Sequence, residues 1–156
     1  MKSRLAPALA AAACCFAVSA CGSHTATKND VIARANGICA NALRDIRATP
    51  SGSGGTTSLT ALAAYLRSVL PILKREASDL RALPKPANGR PLLHQYLSAV
   101  GRSTATYRAL TAAAARGDQA AVNQALAQLR ANPASALAAR YGLSQCAGTV
   151  GTAVSR

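Results

Sequence analysis

Past residue 30, apolar positions recur at three- and four-residue steps, the spacing that puts them on one face of an α-helix. Val31, Ile32, Ala35, Ile38, Cys39, Ala42, Leu43 and Ile46 make the first such face. The pattern predicts a helix over 30–48 that stops before Pro50, opened by Thr27 and Asp30 as a capping-box variant with Asp in place of Glu. A Gly-Ser connector over 51–55 follows, and Thr57 or Ser58 caps a second helix. Its stripe is Leu59, Leu62, Leu66, Val69, Leu70, Leu73, Ala77, Leu80 and Leu83, with Pro71 inside it and Pro84-Lys85-Pro86 at its end. A Pro in a helix interior removes one backbone bond and crowds the preceding turn, so a kink is expected there rather than two helices.

Asn88-Gly89 and Pro91 open a third helix, whose buried face is Leu92, Leu93, Tyr96, Leu97, Val100, Tyr107 and Leu110. Gly117 ends it, because a left-handed C-terminal residue favours glycine. Asp118 caps a fourth helix carrying Val122, Leu126, Leu129, Ala136, Leu137 and Tyr141, which Asn132-Pro133 breaks or bends and Gly142 ends. Four amphipathic helices on short connectors predict an all-α, up-down-up-down four-helix bundle with kinked second and fourth helices. The expected organisation is a signal peptide over 1–20, a tether over 21–28 and a helical domain over 29–156.

Composition narrows this picture. The 156 residues are half hydrophobic, yet 38 are Ala; Trp is absent and Phe16 is the single Phe. That length suits one domain, the apolar content is too high for a disordered tail, and abundant Ala with few β-branched residues disfavours a sheet. So much Ala implies closely spaced helices, toward the low end of ~8–10 Å.

The first twenty-one residues bear on location. Lys2 and Arg4 precede an uncharged stretch from Leu5 to Val18, followed by Ser19, Ala20 and Cys21. A basic start, a short apolar segment and small residues form an export signal, and the apolar stretch falls short of the ~20 residues that span a bilayer. Val18-Ser19-Ala20-Cys21 resembles the lipobox of bacterial lipoproteins, with Val where Leu is commoner. The resemblance covers the leader alone. It implies that Cys21 receives a diacylglyceryl group, that cleavage makes it the new N-terminus, and that the protein is held outside the cytoplasm at the cell membrane. Two acyl chains hold a protein stably at a membrane, whereas one does so marginally. An ordinary secretory leader, cut at the same bond, is the alternative.

Cleavage lowers the formal charge from +13 to +11 and removes Cys14 and Cys15. With Cys21 lipidated, Cys39 and Cys146 remain, and two leftover thiols in an exported protein most simply pair as a disulfide. Two buried free thiols are the alternative. A metal site is not expected, because two Cys without nearby His fall short of the four ligands of zinc. Pairing carries a geometric demand: Cys39 lies mid-helix, so the tail after Gly142 must turn back to bring the two Cα atoms within ~7 Å. The segments Ala35-Asn36-Gly37-Ile38-Cys39 and Gly142-Leu143-Ser144-Gln145-Cys146 loosely resemble those of small exported helical proteins of high-GC bacteria. That resemblance supports the pairing and implies no activity.

Candidate chemistry is sparse. His94 is the one His of the helical region, and its carboxylate partners are limited to Asp30, Asp45, Glu76, Asp79 and Asp118, the first and last better explained as caps. No nucleophile elbow, zinc-protease motif, CxxC pair, phosphate-binding glycine loop or calcium loop occurs, so neither enzymatic activity nor a cofactor is expected. The remaining signal is charge. Arg67, Lys74 and Arg81 fall at heptad spacing and share one stripe of the second helix, with Arg75 and Glu76 flanking its middle. Arg34, Arg44, Arg47, Arg102, Arg108, Arg130 and Arg140 are spread over the other helices, the pattern of a merely solvated surface. Nucleic acid is not an expected partner, since stacking aromatics are nearly missing.

Three functional expectations follow. The first is a membrane-anchored, non-enzymatic interaction or structural module of the cell envelope, whose basic stripe meets anionic polymer, lipid head groups or an acidic protein. The second is a small-molecule binder with a pocket between helices, in which Tyr65, Tyr96, Tyr107 and Tyr141 supply polar tips. The third and weakest is a hydrolase built on His94.

Overall fold

The computed structural model describes residues 26–50 and 58–148. The expected leader, the lipidated Cys21 and the Gly-Ser connector lie outside the described residues. Among those described, the chain is all-helical, with five helices: α1 (Lys28–Ala48), α2 (Leu59–Ala82), α3 (Arg90–Ala115), α4 (Gln119–Ala131) and α5 (Ala134–Tyr141).

The ends of these helices follow from local chemistry. Asp30 N–H donates to Thr27 Oγ1 at 3.2 Å while Thr27 N–H donates to Asp30 Oδ2 at 2.9 Å, so α1 opens on a complete capping box. The bonds from the Thr27 side chain and backbone hold the Asp30 carboxyl below its ordinary range. Ser58 caps α2 through Ala61 N–H, and Asp118 caps α4 through Ala121 N–H. α2 runs through Pro71 as one element. Gly117, at φ 72°, closes α3: Asp118 N–H reaches Ala113 O and Gly117 N–H reaches Ala114 O, the paired bonds of a Schellman motif.

One expectation is corrected. The fourth helix is two, with the break at Asn132-Pro133. Pro133 has no N–H to continue α4, and Asn132 Oδ1 accepts from Ala134 N–H at 2.9 Å, which starts α5 afresh. Asn132 Nδ2 also donates to Ala99 O at 3.1 Å, tying the joint to the middle of α3.

The core lies in two clusters. One gathers Val31, Ala35 and Cys39 of α1, Ala77 and Leu80 of α2, Leu93, Tyr96 and Val100 of α3, all of buried α5, and Leu143 and Cys146. The other joins Ile46, the first half of α2, Tyr107, Leu110, Ala113 and Ala114 of α3, and the buried residues of α4. Ala fills many contact positions, consistent with its abundance. The first cluster therefore sits where α1 and α3 begin and α2 ends.

Cys39 and Cys146 form a disulfide with Cα atoms 5.0 Å apart. The required return of the tail is made at Gly142, whose φ is 101°. Leu143 N–H donates to Ala138 O at 2.8 Å and Gly142 N–H to Ala139 O, a second Schellman closure that turns the chain toward α1. Gln145 N–H then donates to Asn36 Oδ1 at 3.1 Å, and Cys146 Sγ lies 3.5 Å from Ala35 O. Ser135 Oγ holds the other side of the tail by donating to Ala147 O at 2.8 Å.

Candidate functional site: a basic groove between α2 and α3

Two adjoining clefts, of about 530 and 620 Å³, run along one face of α3 where it meets the end of α2. They share Lys85, His94 and Leu97. The contributing α3 residues include Arg90, His94, Leu97, Gly101, Arg102 and Ala105, which recur at helical spacing and so fall on one side of the helix. Arg81 enters from the last turn of α2 and Lys85 from the α2–α3 connection. The groove thus has an apolar floor, including Leu93 and Leu97, and a rim of Arg81, Lys85, Arg90 and Arg102. No carboxylate lines either half.

Two of the guanidinium groups meet α3 directly, and one of them is hydrogen-bonded there. A β-carbon on Gly101 would stand 2.7 Å from Arg81 Nη2, so the bare glycine backbone provides the surface on which that guanidinium rests. Arg102 Nη1 donates to Ser98 Oγ at 3.0 Å. Positioned guanidinium forks suit planar, bidentate recognition of phosphate or carboxylate oxygens.

A second surface cleft, of about 330 Å³ between α1 and α2, has the opposite character. Arg44 and Arg75 there face Asp45, Glu76 and Asp79, so its charges offset one another. The α2–α3 groove, by contrast with this cleft, concentrates one sign of charge.

The predicted stripe divides accordingly. Arg67, Lys74 and Arg81 are all exposed on α2, but only Arg81 reaches the groove. Arg90 and Lys85 were not singled out by the charge pattern; the signal for Arg90 was the i, i+4, i+7, i+11 and i+12 recurrence of Arg90, His94, Leu97, Gly101 and Arg102, and Lys85, in the connection, had none. His94 is exposed in the groove among cations, and none of its five expected carboxylate partners lines it.

The four tyrosines are core residues, each no more than 4 % exposed. Tyr96 and Tyr107 line a cavity of about 20 Å³ with Leu73, Glu76, Val100, Ser103 and Thr104. That is room for about one water molecule, far below the ~300 Å³ at which ligand pockets begin. Glu76, expected beside the surface stripe, is 7 % exposed. Burial pushes the Tyr96 hydroxyl well above its usual range, and the nearby Glu76 charge adds to this. Tyr107 moves the same way, through burial, then Tyr65 and Glu76. The Tyr96 hydroxyl also lies 3.9 Å from Cys39 Sγ, which ties this polar layer to the disulfide.

Among the described residues, no group of three His, Cys, Asp or Glu is placed to hold a metal ion, and no helix is long and apolar enough to cross a membrane. In comparisons with known proteins, no family model, no curated protein and no solved structure matches this chain.

Proposed function

We propose that this protein is a lipid-anchored, extracytoplasmic interaction module of the cell envelope, an up-down helical domain without catalytic chemistry, which meets anionic envelope components through its basic surface. The observation that carries the reading is the groove in which Arg81, Lys85, Arg90 and Arg102 gather over an apolar floor with no carboxylate among the lining residues. A concentration of one sign of charge in a cleft attracts opposite charge and focuses it there. The lipobox-like Val18-Ser19-Ala20-Cys21 supports the anchor, and the Cys39–Cys146 disulfide suits an oxidising compartment. A small-molecule pocket lined by the tyrosines has one observation in its favour, the cavity beside Tyr96 and Tyr107, but its size fits a water molecule rather than a ligand.

The test is made on protein extracted from the membranes of cells expressing the full chain. It should be heavier than residues 21–156 by a diacylglyceryl group, partition into detergent, and show salt-sensitive retention of anionic over neutral vesicles. Bare polypeptide mass in the aqueous phase, or retention indifferent to salt, contradicts it.

A further inference from the structure

We propose that the α2–α3 groove is a phosphate clamp for the anionic phospholipid head groups of the bilayer in which the Cys21 lipid is inserted. This rests on the lipid-anchor reading and gives the basic surface a single occupant.

Two arguments lead to it. The first is chain reach. Lys28, the first residue of α1, lies against the start of α3: a β-carbon on Gly89 would be 3.6 Å from Lys28 Cδ and 3.2 Å from Tyr141 Cε2. Lys28 Nζ itself sits 4.9 Å from the centre of the Tyr141 ring. Gly89 directly precedes Arg90 and Pro91, which form one end of the groove. Seven residues lead from Cys21 to Lys28, a span of at most ~25 Å when fully extended. An acylated Cys21 therefore keeps the groove's Arg90 end within ~25 Å, plus the width of the helix end, of the membrane surface. A bilayer carrying anionic lipid presents its head-group phosphates, and the negative surface potential they create, within that distance.

The second argument is chemical complementarity. A phospholipid head group presents a phosphate next to aliphatic and glycerol carbon. The groove offers Arg81 lying over Gly101 and Arg102 oriented by its bond to Ser98, with Lys85 and Arg90 as further cations and Leu93, Leu97 and Pro91 as the apolar bed. Arg forks bond phosphate oxygens in pairs, whereas Lys contributes a point charge. Arg67 and Lys74 lie outside the groove on the same helix, so they supply general charge without the clamp.

The experiment titrates the detergent-solubilised full-chain protein with dihexanoyl-phosphatidylglycerol, dihexanoyl-phosphatidylcholine and inorganic phosphate. Saturable binding of the anionic lipid is expected, tighter than that of either other probe. Arg81→Gln with Arg102→Gln should weaken it ~10-fold or more, since both charge-assisted contacts to the phosphate are lost, while Arg67→Gln with Lys74→Gln, which touch no bound phosphate, should change it less than ~2-fold. Equal losses in the two double variants, or no preference for the anionic lipid, overturn the clamp. So does phosphate binding as tightly as the lipid, which would make the groove a site for free anions. The mass of the same preparation is read separately. If Cys21 carries lipid and the titration fails, the groove assignment alone is lost; if Cys21 is bare, the anchor reading falls and the groove's membrane orientation with it.

Discussion

The guanidinium of Arg81, on the last turn of α2, rests on the backbone of Gly101 in α3, at a distance that leaves no room for a β-carbon. Gly inside a helix ordinarily costs up to ~1 kcal/mol relative to Ala. Here the obstruction to Ala is the far end of a flexible side chain, so Arg81 can swing away. Gly101→Ala should therefore raise unfolding stability by roughly 0.5–1 kcal/mol while displacing Arg81 and weakening anion binding several-fold. Denaturant titration and lipid titration of the same variant check both halves. A variant less stable than the parent, or one that binds unchanged, contradicts this account of the contact.

The Cys39–Cys146 bridge closes a separation of 107 residues and joins α1 to the returning tail. Cross-linking so long a loop constrains the unfolded chain, and its removal typically costs ~2–5 kcal/mol. The double variant Cys39→Ala, Cys146→Ala should melt lower by roughly 2–4 °C per kcal/mol lost. Thermal melts followed by circular dichroism, with and without reductant for the parent, measure it. Superimposable melts would show that the tail is held without the bond.

Burial raises the Tyr96 and Tyr107 hydroxyls above the ordinary value near 10. The folded state therefore keeps protons that the unfolded state gives up. Stability from this source is complete below about pH 10 and is lost as pH climbs above that value through the folded-state range. Tyrosinate absorbance should thus rise together with the loss of helical ellipticity under alkaline titration. Tyrosinate appearing in a fully helical protein would contradict the buried placement. Tyr96→Phe with Tyr107→Phe should flatten the alkaline part of the stability curve.

Much of this fold is legible along the chain because apolar spacing reports burial. Val31, Ala35, Cys39, Leu66, Leu73, Leu80, Tyr96 and Leu110 fall on the expected faces, and Thr27, Ser58, Asp118, Gly117 and Gly142 mark the ends. Glu76 and Tyr65 show the limit of a residue-type rule: each occupies a stripe position, three or four residues from a Leu or Val, yet its polar group argues for the surface. Position prevailed. The Asn132-Pro133 joint was marked by its residues, but Asn132 capping α5 while bonding Ala99 depends on tertiary contact that no local pattern carries. The groove was half legible for the same reason. The heptad spacing identified Arg81, whereas its meeting with Gly101, Arg102 and Lys85 depends on how α2 packs on α3.

The central claim is that the α2–α3 groove lies at the head groups of the membrane holding this protein. The most direct measurement compares acylation of Lys85 with that of Lys74 by a membrane-impermeant amine reagent, in native membrane vesicles and after detergent solubilisation. Lys85 lines the groove; Lys74 is exposed two turns before Arg81 on α2, about 10 Å along the helix. The account predicts that Lys85 reacts several-fold more slowly than Lys74 in the membrane, and that detergent or high salt removes the difference. Equal reactivity of the two lysines in membrane and detergent alike would contradict it.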